Sequence, residues 1–228
     1  MTPLPILSIN LLDIKLPANS RLMSAFLNGM RDIALENKDL FDAHQISTDI
    51  FHNDNIAYSG IQFTTVKQAV CITAIGHVEV KALELWYDLF LQNTGNTVQN
   101  TVITREQYLA KITTDYAGYR IDSMLIKSEI GQEIEQLNNQ FAVIDRLEKY
   151  LYGNIKAFLV RVAGMQISEK DFISVKVSKY KNIGLKPTFH GGKLPAYDIR
   201  FNVNVYLPQT LRLGQAVSLG YGRVYHEE

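Results

Sequence analysis

The stretch Tyr197-Asp198-Ile199-Arg200-Phe201-Asn202-Val203-Asn204-Val205-Tyr206-Leu207-Pro208 alternates apolar and polar side chains residue by residue. Side chains of an extended chain point to opposite faces in turn, so Ile199, Phe201, Val203, Val205 and Leu207 predict the core face of a half-buried strand. Arg200, Asn202, Asn204 and Tyr206 form its polar face, and Pro208, which has no N–H for a ladder, ends it. Directly after comes Leu211-Arg212-Leu213-Gly214-Gln215-Ala216-Val217-Ser218-Leu219-Gly220-Tyr221-Gly222-Arg223, with three glycines set among a serine and two arginines. Glycine admits positive φ and close backbone approach, so such a loop can aim several N–H groups at an anion. The arginines suit phosphate, because a guanidinium is always charged and forks onto two oxygens. No Gly-Lys-Ser or Gly-Lys-Thr follows, which excludes a nucleotide P-loop; a tight surface turn is the plain alternative.

Working outward, 228 residues allow one large domain or two small ones, and 46% hydrophobic content is that of a globular protein. No apolar run is long enough for a membrane helix, and the N-terminus has no signal-peptide pattern. The single cysteine, Cys71, lies in an apolar run; it excludes an intrachain disulfide and predicts a small core residue in a reducing, cytoplasmic setting. Net charge is zero, but it is unevenly spread. Residues 1–145 hold 10 Lys+Arg against 17 Asp+Glu, a balance of −7, and residues 146–228 hold 13 against 6, a balance of +7. Lys176, Lys179, Lys181, Lys186, Lys193, Arg200, Arg212 and Arg223 occur with Tyr180, Phe189, Tyr197 and Tyr221 among them. Cations for phosphates and aromatic faces for bases are what a single-stranded RNA surface needs; a solvated basic face is the alternative.

Leu4 to Leu16 predicts a strand closed by Pro17, followed by a helix capped at Asn19 or Ser20 with Leu22, Met23, Phe26, Met30 and Ile33 on its apolar face. A short helix, Lys38 to His44, comes next, then strands Ile56 to Thr65 and Ala69 to Ile75 joined by a tight turn near Lys67. Val78, Leu83, Leu85, Trp86 and Leu89 predict a helix, and a strand at Thr97 to Thr104 completes a βαββαβ ferredoxin-like unit. In the second half, Tyr119 to Ile126 predicts an opening strand. Apolar residues recurring every three or four positions from Ile130 to Val162 predict one long amphipathic helix, stopped at Gly164. Strands around Phe172–Lys179, Tyr197–Leu207 and Val224 follow. The fold class is therefore α+β: two tandem ferredoxin-like units packed on each other, residues 1–116 and 117–228, with a C-terminal glycine-rich loop.

A Gly, a short Ser-bearing spacer and a Gly-aromatic-Gly at the C-terminus resembles the glycine-rich loop of the repeat-associated RNA-binding superfamily. It is similar above all to the CRISPR-associated endoribonucleases that cut precursor guide RNA at each repeat. Phe51-His52-Asn53-Asp54, followed by Tyr58-Ser59-Gly60-Ile61-Gln62-Phe63, resembles that family's His-Asn-His element and the strand after it. Ala74-Ile75-Gly76-His77 sits where the family has a Gly-Glu-Gly type turn, and Arg146 to Ile155, with its internal Gly153-Asn154, is similar to the family's long C-terminal helix.

The resemblance implies metal-independent RNA cleavage: the 2′-hydroxyl attacks the adjacent phosphate, leaving a 2′,3′-cyclic phosphate and a 5′-hydroxyl. That chemistry needs a base, an acid and a stabiliser for the developing phosphorane charge, and histidine suits either proton role near neutral pH. Of His44, His52, His77, His190 and His226, the resemblance points to His52 as catalytic, with His44 as the alternative. Lys179, Lys181, Lys193, Arg200, Arg212, Gly214, Ser218, Gly220, Tyr221, Gly222 and Arg223 are the expected RNA-binding residues. No histidine pair has metal-ligand spacing, so neither a metal nor a cofactor is expected. The partners implied are CRISPR repeat or guide RNA, further effector subunits and a second copy of the chain, with no membrane.

The chain departs from the family pattern. Asp54 stands at the second histidine of the motif and Thr64 at the strand lysine, a phosphate stabiliser. Lys67, Lys179, Lys181 and Arg21 are candidates to replace it. An RNA-binding subunit that does not cut is the second reading, and a domain for a small anionic ligand is the third.

Overall fold

The computed structural model describes residues 3–17, 21–51, 59–95, 98–168, 170–189 and 192–227. Contacts group the chain into two units: Thr2–Leu109 with Ser218–Gly220, and Ala110–Val217 with Tyr221–Glu228.

In the first unit the elements are β1 (Leu4–Lys15), α1 (Arg21–Glu36), α2 (Lys38–Ala43), β2 (Ile61–Val66), β3 (Ala69–Ile75), α3 (His77–Thr94) and β4 (Thr101–Tyr108). Their sheet runs β2-β3-β1-β4 with every neighbour antiparallel, which is the ferredoxin-like arrangement predicted. Lys67 and Gln68 both have positive φ (50° and 68°), as a two-residue turn matched to the right-handed twist of a hairpin requires. Leu7, Ile9, Leu11, Phe63, Val70 and Ile72 pack from the sheet against Met23, Met30, Leu83, Trp86 and Phe90 from the helices. Phe26 meets Phe63, Trp86 and Phe90 edge-on at 6.2–6.5 Å between ring centres. Cys71 is buried, as expected of a small apolar residue.

The second unit contains β5 (Ile112–Leu125), α4 (Ser128–Gln136), α5 (Gln140–Ala157), β6 (Val175–Asn182), the short hairpin β7 (Thr188–Phe189) and β8 (Gly192–Lys193), β9 (Ala196–Val205) and β10 (Arg223–His226). Its sheet, β10-β5-β9-β6, repeats the antiparallel order of the first, and residues 116 and 117 lie inside its opening strand. The predicted core face of β9 is correct: Ile199, Phe201, Val203, Val205 and Leu207 are all buried. No α-helix connects β9 to β10, only one 3-10 turn at Val217–Leu219; the glycine-rich segment occupies that position in the chain, and its Leu211, Leu213, Val217 and Tyr221 are buried.

The single helix predicted from Ile130 to Val162 is two helices. The break falls at residues 137–139, where the Asn139 side chain accepts the Phe141 N–H at 2.9 Å and caps α5. Asparagine competes for backbone donors in this way, so it starts helices better than it continues them. The apolar period runs through the break by chance: Phe141 is 81% exposed. After Ala157 the helix widens into a π turn over Phe158–Val162. Gly164 (φ 61°) then ends it as predicted, with the Met165 N–H reaching back to the Leu159 carbonyl at 2.8 Å.

Two strand predictions shift along the sequence. The strand expected at Thr97–Thr104 lies at Thr101–Tyr108, and that expected at Phe172–Lys179 lies at Val175–Asn182. Of the strand predicted from Ile56, residues 56–58 lie outside the described residues. The alternation of β9 puts Asn204 on its polar face, yet the residue is only 7% exposed. Its Oδ1 accepts the Ser174 N–H (2.7 Å) while its Nδ2 donates to the carbonyls of Phe172 (2.7 Å) and Thr113 (3.2 Å), tying β5, β9 and the approach to β6 together.

Candidate nucleic-acid interface

Directly opposed residues of an antiparallel sheet share a face, so register decides what the sheet presents. In the second unit Tyr225 lies opposite Arg120, Arg120 opposite Arg200, and Arg200 opposite Lys179. These four form one row across all four strands, on the face that points away from the core. A bulge between Val177 and Lys179 makes this possible. Without the extra residue Lys179 would turn inward with Val177. Lys181 opposite Asp198, and Arg223 opposite Asp122, continue the face on one side.

The row is cationic with an aromatic end. The guanidinium carbons of Arg120 and Arg223 sit 4.8 Å and 4.9 Å from the Tyr225 ring centre, a cation–π arrangement. Arg120 is paired with Asp122 at 3.0 Å and Arg200 with Glu227 at 3.1 Å, both half-exposed pairs open to exchange for another anion. Lys179 and Lys181 are exposed and have no ion pair among the described residues. Sequence reasoning misses Arg120 and Tyr225, since only the register of distant strands brings them beside Arg200.

The glycine-rich segment is fastened at its base. Asn154 of α5 accepts the Gly214 N–H on Oδ1 (3.1 Å) and donates from Nδ2 to the Tyr150 carbonyl (2.8 Å). The Gln215 amide donates to the Tyr150 hydroxyl at 3.4 Å, and burial pushes that hydroxyl's pKa above the ordinary tyrosine value. Backbone bonds Leu213 N–H to Gly222 O, Gln215 N–H to Leu125 O and Val224 N–H to Leu211 O complete the fastening. The N–H groups at 213, 214 and 215 therefore face protein. Arg212 is 3% exposed and Gly222 is buried, Tyr221 is buried with its hydroxyl pKa raised by that burial, and Ser218, Gly220 and Arg223 are half-exposed. Lys193 is exposed on β8.

His52, with Asn53 and Asp54, lies outside the described residues, as does His190. The chain on either side of His52 is well packed: Phe51 is buried edge-on against Phe41 at 5.8 Å, and Gly60 lies directly under the Glu79 side chain. Burial raises the Glu79 carboxyl pKa against the opposing effect of a backbone hydrogen bond. His44 follows α2 and is exposed; His77 opens α3 and is exposed. His226 packs between Tyr119 (4.6 Å) and Tyr206 (5.0 Å), with Nε2 3.1 Å from the Leu207 carbonyl oxygen, which is a structural role. Thr64, at the position of the family lysine, donates its hydroxyl to the Thr65 carbonyl. The exposed Lys67 is in the turn that follows.

Residues 111–227, just over half of the chain, match the family model of the Cas6b C-terminal domain. The chain belongs to the Cas6b family. A crystal structure of Cas6b superposes on it with a TM-score of 0.74 at 22% identity, covering 99% of this chain and 100% of that one. A crystal structure of the CRISPR RNA processing endoribonuclease Cas6b gives 0.65 at 19%, again covering 99% and 100%. Csf5, a type IV CRISPR-Cas Cas6 crRNA endonuclease, gives 0.55 at 14%, covering all of both chains. Identities this low speak to fold, which for this Cas6b family member is the tandem ferredoxin-like one. No curated protein sequence matches the chain. Among the described residues no helix is long and apolar enough to cross a membrane.

Proposed function

We propose that the chain binds CRISPR repeat RNA and cuts it within precursor transcripts to release guide RNAs. The observation that carries the reading is the row Lys179–Arg200–Arg120–Tyr225 across an exposed sheet face, in a member of a family one of whose solved structures is named as a CRISPR RNA processing endoribonuclease. Guanidinium and ammonium groups neutralise phosphates and release counterions, while Tyr225 offers a stacking surface for a base. Arg223, Lys181 and Lys193 extend the contact surface, and Ser218 and Gly220 are further RNA contacts. Gly214, Gly222, Arg212 and Tyr221 act from within, by holding the segment that carries them.

Cleavage proceeds by 2′-hydroxyl attack without a metal ion, leaving a 2′,3′-cyclic phosphate. His52 carries the proton transfer, with His44 as the alternative. The second reading, a subunit that binds RNA without cutting, is favoured by Thr64, whose hydroxyl gives no charge to a phosphorane. Labelled repeat RNA incubated with the protein in EDTA separates the two. The expected result is a product ending in a cyclic phosphate, lost in His52→Ala with binding retained; intact RNA in the wild-type complex supports the second reading.

Glu227 competes with phosphate for Arg200. Glu227→Gln is therefore expected to tighten RNA binding about 2- to 5-fold at low salt, the range of an exposed ion pair. The gain should shrink as salt is raised. Filter-binding titrations of wild type and variant check it.

A further inference from the structure

In the second unit, α4 together with Lys186, Gly192, Lys193 and Pro195 lines an open cleft of about 360 Å³. Small-ligand pockets begin at roughly 300 Å³, so it has room for one nucleotide and little more. Its floor is Gly131 against Pro195. A Cβ at Gly131 would overlap the Pro195 ring, so glycine is what lets the helix settle there. Gln132 and Glu135, three residues apart on α4, share a helix face and form one wall. Lys186 and Lys193 form the other, with Lys186 paired to Glu135 across one end. That pair satisfies the carboxylate. Gln132 and Lys193 remain, both exposed and, among the described residues, without a hydrogen-bond partner.

We infer that this cleft takes a single unstacked adenosine of the bound RNA, its base edge read by the Gln132 amide and its phosphate held by Lys193. The inference rests on the RNA reading above and names a subsite for it. A carboxamide offers one donor and one acceptor side by side, which matches the N6 amino group and N7 of adenine. Sequence-specific recognition of RNA works mostly on such extruded bases of unpaired segments. Lys179 and Lys181 on the open sheet face precede Lys186 and Lys193 in the sequence, so one segment of the chain supplies cations both to that face and to the cleft.

The test uses the full chain and a synthetic RNA with the repeat sequence of the array beside the gene. Each adenosine is replaced in turn by purine riboside, which lacks the N6 amino group. With wild-type protein, one position is expected to lose about 10-fold in affinity, the scale of one bidentate base contact. Gln132→Leu should bind the intact RNA about as weakly and show no further loss at that position. Gln132→Glu, which keeps the acceptor for N6 but loses the donor to N7, is the second variant; it should bind the intact RNA more weakly than wild type yet still lose affinity when purine riboside replaces that adenosine. If the RNA binds normally but no adenosine depends on Gln132, the subsite is wrong and the RNA reading stands. If no RNA binds at any salt concentration, the RNA reading fails and the subsite with it.

Discussion

Gly222→Ala is expected to destabilise the second unit by about 4 kcal/mol and lower its melting temperature by about 10 °C or more. Gly222 has φ 72°, and a Cβ there would collide with the Leu213 carbonyl oxygen, a backbone atom that no rotamer change can move. The same two residues are joined by the Leu213 N–H to Gly222 O bond at 2.9 Å. Relieving the overlap means opening that contact and, beside it, the Val224 N–H to Leu211 O bond, in a region where Leu211, Leu213 and Val224 are fully buried. Each buried backbone group left unpaired costs about 1–3 kcal/mol, to which the left-handed conformation adds roughly 1. Gly153 is the control. It is exposed in α5, and a Cβ added there would have nothing within 4 Å, so Gly153→Ala should stabilise by up to about 1 kcal/mol through helix propensity. Thermal melts of the two variants check both signs.

Lys179→Ala combined with Arg200→Ala is expected to weaken RNA binding on the order of 30-fold near 0.15 M salt, while leaving stability nearly unchanged. The two side chains are opposed in register and exposed, so neither contributes packing that the core needs. Two lost phosphate contacts on a single strand should also flatten the plot of log affinity against log salt by about 1.4, at roughly 0.7 per contact. Lys149 on α5, exposed and paired with Asp145 at 2.7 Å, is off this face; Lys149→Ala should leave the slope unchanged. A double variant with the wild-type slope would remove the open face from the binding surface.

These effects separate what a sequence shows from what only register shows. The alternation from Ile199 to Leu207 and the order of elements are enough to reach a pair of ferredoxin-like units, because burial of one strand face is a local pattern. Lys179 and Arg200 are legible as cations, but their alignment with Arg120 and Tyr225 depends on a bulge and three strand pairings far apart in sequence. Asn204 misleads for a related reason: by residue type it reads as polar and therefore outward, whereas three segments converge on its amide and satisfy it inside. Asn139 breaks a predicted helix because one side-chain cap outweighs an apolar period that continues by chance. The glycine-rich segment is legible by its spacing, yet its burial follows from its place between β9 and β10, where the chain supplies no α-helix to close the core.

Ultraviolet crosslinking of repeat RNA to the intact protein, with the attached peptides identified by mass spectrometry, tests the central claim most directly. Adducts on Tyr225, lost in Tyr225→Leu, are the expected result. Adducts confined to the exposed Tyr152 of α5, with none on β10, would contradict it.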